Sequence, residues 1–113
     1  MTRYVTPYPL PTPYERELLT ILIEECAEVQ QRATKLLRFG RDEIQPGQYF
    51  NNSFRLALEL GDLKAMVNLV IVARLVQQEA IEEGALRKRK QLAAFMQTDD
   101  DTSPLPQDER ADG

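Results

Sequence analysis

The chain has 113 residues, 42% of them hydrophobic, and a formal net charge of −4, which bounds it to one small domain with no apolar run long enough to span a bilayer. It has no histidine, and Cys26 is its single cysteine, which excludes histidine-based catalysis, most zinc sites and an intrachain disulfide. From Asp99 onward six acids face one base, while the residues before it carry thirteen bases and twelve acids; the part expected to fold is nearly neutral and lacks the basic stripe of a nucleic-acid binder.

The expected organisation is an extended proline-rich arm over residues 1–12, an all-α domain over 13–97 and a disordered acidic tail over 98–113. No basic segment followed by an apolar one opens the sequence, so no signal peptide is expected. Together with the cysteine usage, this gives the cytoplasm as the expected location. Prolines at 7, 9, 11 and 13 oppose a helix and favour a polyproline-like arm. Tyr4 and Tyr8 could dock that arm on a neighbouring surface; the plainer reading is a free N-terminus.

Thr12-Pro13-Tyr14-Glu15 is a helix start, with Thr12 as cap, Pro13 in the first turn and Glu15 completing a capping box. The helix is predicted to run from about Pro13 to about Phe39, with Gly40 as its stop. Within it an apolar run, Leu18-Leu19-Thr20-Ile21-Leu22-Ile23, leads into Glu24-Glu25-Cys26-Ala27-Glu28. At 100° per residue, Glu25 falls in the middle of the apolar stripe, about 20° from Leu18 and Leu36 and about 40° from Val29. Glu28 sits on the stripe's edge, about 60° away. A carboxylate facing a core is costly unless paired, protonated or bound to a cation. The last turns carry Arg32, Lys35 and Arg38, and Arg41 follows. Cations there suit the helix dipole; Lys35 and Arg38 are equally candidates to meet phosphate oxygens.

A loop over 40–51 contains a Pro46-Gly47 turn signal. Loops of this length in a small domain tend to be functional or mobile. Tyr49, Phe50 and Phe54 offer either a stacking surface for a base or, for Phe54 in particular, a plug beneath the loop. Asn52 or Ser53 is the expected cap of a second long helix reaching about Gln78. That helix repeats the first pattern. Glu59 is central among Leu56, Leu63, Met66 and Val70, and Asp62 holds the edge position. Its second half, Met66 to Ala73, is apolar nearly all round, as in a helix covered on several sides. In so small a protein this implies a partner subunit, and Asn68 would need a hydrogen-bond partner there. A third helix is expected from about Ala80 to about Met96, carrying Arg87-Lys88-Arg89-Lys90. That run is mainly a solvated face, from which Lys88 could reach a polyphosphate. Asp99-Asp100-Asp101 belongs to a solvating tail rather than a metal site.

Two helices thus each carry an i, i+3 carboxylate pair on the face that should be buried. Packed together, they would crowd four carboxylates into one pocket, which cannot all stay ionised without cations. All-oxygen ligation points to Mg²⁺ or Mn²⁺.

Glu24-Glu25-x-x-Glu28, followed after an interval of 30 residues by Glu59-x-x-Asp62, resembles the signature of the MazG-like, all-α nucleoside triphosphate pyrophosphohydrolases. Ala33-Thr34-Lys35-Leu36-Leu37-Arg38-Phe39-Gly40 and Glu59-Leu60-Gly61-Asp62-Leu63 are similar to the short single-domain members, and the resemblance covers roughly residues 14–95. It implies a helical bundle of two long antiparallel helices plus a shorter C-terminal helix, completed by a partner subunit in a dimer or a dimer of dimers. It implies Mg²⁺ ligation by Glu25, Glu28, Glu59 and Asp62, with Glu24 as a less uniform member. It also implies hydrolysis of a (d)NTP to the (d)NMP and pyrophosphate by water attack at the α-phosphorus. Glu24 or Glu28 would orient or deprotonate the water, and Lys35, Arg38 and Lys88 would meet phosphate charge.

Three other readings share these residues. One is a superfamily enzyme acting on phosphoribosyl-ATP or dUTP. Another is a family member that binds nucleotide without hydrolysing it. The third is a non-enzymatic helical-bundle interaction protein, whose thermal stability EDTA would leave untouched. No reading calls for a nucleic-acid polymer or a membrane.

Overall fold

The structure, a computed structural model, describes residues 5–98. The first four residues of the arm and the acidic tail from Asp99 lie outside the described residues. Three helices follow in order: α1 over Pro13–Phe39, α2 over Asn52–Val72 and α3 over Gln78–Phe95. The fold is all-helical, with no strand among the described residues, and no helix is long and apolar enough to cross a membrane.

α1 begins as its sequence dictates. The Glu15 N–H donates to Thr12 Oγ1 (3.2 Å) and the Thr12 N–H to Glu15 Oε1 (2.9 Å), a reciprocal capping box. It ends at Gly40, whose φ of 89° lies in a region that glycine enters without strain. The two threonines inside the helix return their hydroxyls to the preceding turn, Thr20 to the Arg16 carbonyl and Thr34 to that of Gln30. Their side chains therefore do not compete with the helical backbone from outside it.

The loop over 40–51 is pinned to the start of α2. The Asn52 side-chain amide donates to the Gly40 carbonyl (2.9 Å) and to Glu43 Oε1 (3.0 Å). The Asn52 and Ser53 N–H groups donate to the carbonyls of Glu43 and Arg41. At its tip the Gln48 N–H closes on the Gln45 carbonyl across Pro46-Gly47, with Gly47 at φ 80°, the pattern of a type II turn. Neither predicted cap is the cap of α2. Asn52 is only 2% exposed and spends its side chain on the loop. Asn51 supplies the cap instead, accepting the Phe54 N–H at 2.8 Å. Phe54 does not plug a core either; it is half-exposed and packs on Phe50 with ring centroids 4.5 Å apart.

α2 stops at Val72, several turns of sequence before a glycine or proline is met. Arg74 takes a left-handed backbone (φ 63°), the Arg74 N–H reaches the Ile71 carbonyl, and the Leu75 N–H reaches that of Val70. This is a Schellman ending with arginine in the position usually held by glycine. Leu75 packs against the core beside Val70, the apolar contact that accompanies such an ending. α3 accordingly starts at Gln78, earlier than the sequence suggests.

α1 and α2 pack on each other. Their core consists of Leu18, Met66 and Val70, flanked by Ile21, Leu22, Ala73 and Leu75. Part of the apolar half of α2 is open: Val72 is 77% and Leu69 41% exposed, and Asn68 faces solvent. The chain divides into two compact units between Gln77 and Gln78. α3 forms the second, and none of its residues is buried.

Candidate metal centre

Glu25 comes from the middle of α1, and Glu59 and Asp62 from one face of α2. One carboxylate oxygen from each of the three lies within 4.8 Å of the other two. Glu25 and Glu59 are half-buried and Asp62 is exposed. The placement follows from periodicity. Glu25 and Leu18 share the stripe that packs on α2, and Glu59 is one helical heptad before Met66 on the facing stripe.

This crowding has an electrostatic signature. The Glu59 carboxyl is held above the usual carboxylate range, first by its burial, then by the negative charges of Asp62, Glu28 and Glu25. Glu25 stands close enough to share a proton with it. Glu25 Oε1 is buried with no hydrogen-bond partner among the described residues. Buried acceptors are rarely left so.

A divalent cation fits this donor set. The ligands are all oxygen, the choice of Mg²⁺, Mn²⁺ and Ca²⁺.

None of the other predicted residues is among the three converging acids. Glu28, one turn after Glu25, is exposed and is not among the three converging acids, but its charge acts on Glu59. Glu24 is exposed on α1. Lys35 and Arg38 lie over the Phe39 ring, with Lys35 Nζ 5.8 Å and Arg38 Cζ 5.1 Å from its centroid. That geometry suits a cation–π contact at the end of α1. Lys88 is exposed on α3.

Beside the acids is a cavity of about 230 Å³. Glu28 and Glu59 line it on the side of the carboxylate group, and Arg32 and Arg55 also line it. Gln48 and Phe50 from the loop and Leu58 from α2 complete it. Arg32 is 9% exposed, and one of its terminal nitrogens, Nη1, is buried without a partner. In the sequence the helix dipole is explanation enough for Arg32, and Arg55 belongs to no motif. The signal was present: Arg32 falls about 20° from Glu25 on the helical wheel, in the same core-facing stripe. Arg55, four residues before Glu59, lies about 40° from it.

No family model, curated protein or solved structure matches the chain.

Proposed function

We propose that this chain is a divalent-cation-dependent nucleoside triphosphate pyrophosphohydrolase of the MazG-like kind. The observation that carries this reading is the convergence of Glu25, Glu59 and Asp62, with Glu25 Oε1 buried and unpartnered. The doubled Glu25-x-x-Glu28 and Glu59-x-x-Asp62 pattern adds the resemblance.

Glu25, Glu59 and Asp62, with Glu28 at their edge, would hold Mg²⁺ or Mn²⁺. When bound, the cation neutralises phosphate charge and lowers the pKa of water. The chain's own groups do the rest. Glu28, exposed where the acids meet the cavity, or Glu24 one turn before it on α1, orients the attacking water and accepts its proton. The water attacks the α-phosphorus, its oxygen forms the new P–O bond, and the bond to the β-phosphoryl oxygen breaks, releasing pyrophosphate. Lys35 and Arg38 are the candidate cations for the phosphate chain.

The bundle is completed, on this reading, by a second copy packing on two long antiparallel helices, giving a dimer or a dimer of dimers in the cytoplasm. A core of three buried residues and the exposed Leu37 and Val72 support it, since a helical pair of this size buries little by itself.

A panel of canonical and modified (d)NTPs, with dUTP and phosphoribosyl-ATP included, tests the function. Mg²⁺-dependent formation of monophosphate and pyrophosphate, abolished in Glu59→Gln without loss of helicity, is the expected result. Diphosphate plus phosphate as products, or turnover unchanged in the variant, overturns it.

A further inference from the structure

The cavity beside the acids has a composition that the phosphate chemistry does not account for. A site built only for phosphate presents charge and N–H donors all round. This one sets Arg32 and Arg55 against the Phe50 ring and the Leu58 side chain, with the Gln48 amide beside them and the Glu28 and Glu59 carboxylates on the side of the acids. At about 230 Å³ it is smaller than the roughly 300 Å³ at which pockets begin to enclose whole small molecules. It has room for one moiety of a larger ligand whose remainder lies over the acids.

We propose that this cavity is a nucleobase subsite for bases with a carbonyl at the purine 6- or pyrimidine 4-position, with Arg32 as the specificity-determining residue and Phe50 as the stacking surface. The proposal rests on the nucleotide reading given above and adds the part of the substrate that the acids do not address. Three observations converge on it. Arg32 is more than nine-tenths buried, and its Nη1 has no partner among the described residues. A buried donor in that state is completed by a ligand acceptor. Arginine carries donors only, so it selects an edge with carbonyl acceptors. Guanine offers O6 beside N7, and uracil offers O4 at the position where cytosine carries its amine. Adenine and cytosine put an exocyclic amine where an arginine would meet a like donor. Phe50, finally, is 43% exposed, and its ring is held at an angle by Tyr49 and Phe54 (centroids 5.2 and 4.5 Å). An open, braced ring of this kind can take a base on its free face.

Binding of the four ribonucleoside monophosphates and of ribose 5-phosphate, by calorimetry with Mg²⁺ present, tests the subsite without any need for turnover. GMP and UMP are expected to bind about tenfold or more tightly than AMP, CMP and ribose 5-phosphate. Arg32→Met should collapse the difference between the keto and amino bases while leaving ribose 5-phosphate binding as it was. Phe50→Leu, at a half-exposed position that the core does not depend on, should weaken GMP and UMP roughly tenfold. It keeps the question open to refutation even where Arg32→Met fails to fold. AMP or CMP binding as tightly as GMP and UMP overturns the proposal, as does Phe50→Leu binding like wild type. So does an equal loss of ribose 5-phosphate and nucleotide in Arg32→Met, which would make the arginine a phosphate ligand. Failure of pyrophosphate release with the base preference intact would remove the hydrolase reading and leave this subsite standing; the reverse pattern would remove the subsite alone.

Discussion

Replacing Glu59 by glutamine should make the metal-free protein more stable and the magnesium-loaded protein relatively less so. In the folded state Glu59 faces Glu25 and Asp62, with oxygens within 4.8 Å of one another. Two unit charges at that distance repel by about 1 kcal/mol in bulk water and about 3 kcal/mol at an effective dielectric constant of about 20. Asp62 is exposed and its contribution is screened. Removing one charge should therefore stabilise the metal-free fold by about 1–2 kcal/mol, or about 5–15 °C in Tm for a domain of this size. The raised pKa of Glu59 gives the same sign. The folded state holds the Glu59 proton more tightly than the unfolded chain does. Stability in EDTA thus falls as pH rises from the ordinary carboxylate value to the folded one, and stays low above it. Glutamine should abolish that fall. With Mg²⁺ the order reverses, because a ligand that binds only the folded state stabilises it by RT ln(1 + [L]/Kd), about 2.7 kcal/mol at a hundredfold excess over Kd. The variant, with one charged ligand fewer, gains less. Circular-dichroism melts of both proteins in EDTA and in Mg²⁺, at one fixed protein concentration, make the comparison. A variant that melts at or below wild type in EDTA would show that the acids are not crowded. An equal gain in Mg²⁺ for both would show that Glu59 does not meet the cation.

Three further outcomes follow from the fold. Arg74→Gly should raise stability by about 1 kcal/mol, because a left-handed backbone costs an L side chain that much and glycine nothing; a lowered Tm would mean that α2 does not end in this way. Asn52→Leu removes the donor shared by Gly40 and Glu43 and should cost about 1–3 kcal/mol. It should also expose Arg41 to trypsin, and an unchanged cleavage rate would contradict a pinned loop. Thr12→Ala should cost about 1 kcal/mol in thermal or urea unfolding through loss of the capping box, whereas no change would place the start of α1 elsewhere.

How far the sequence discloses this structure depends on whether several local signals agree. α1 is readable at both ends because cap and proline agree on its start and a glycine marks its stop. The end of α2 is not, because an arginine holds the left-handed position, and the packing of Leu75 on a core shared with α1 is not visible in the local sequence. The cap of α2 is one residue early for a related reason. Asn51, Asn52 and Ser53 are all good caps by type, and burial of the Asn52 side chain under the loop decides between them. The convergence of Glu25, Glu59 and Asp62 is legible, since an acid in the centre of an apolar stripe must face the neighbouring helix. Arg32 obeys the same arithmetic. Its position near a helix C-terminus offered a competing and sufficient explanation in the dipole, and the two could be separated only by seeing it buried.

The carboxylate group and the core are coupled by their sizes. Leu18, Met66 and Val70 each contribute about 1.5–3 kcal/mol by burial, and each like-charge contact among Glu25, Glu59 and Asp62 removes about 1–3 kcal/mol. In a larger domain that repulsion would be a small correction. Here it is comparable with what one core side chain supplies, so the protonation and cation occupancy of one site should govern the stability of the whole α1–α2 unit. The same comparison gives Glu25 Oε1 its meaning. An unpartnered buried oxygen in a fold with little stability to spare is a cost that a bound cation removes, and the two helices that bear the acids are the ones the cation would hold together.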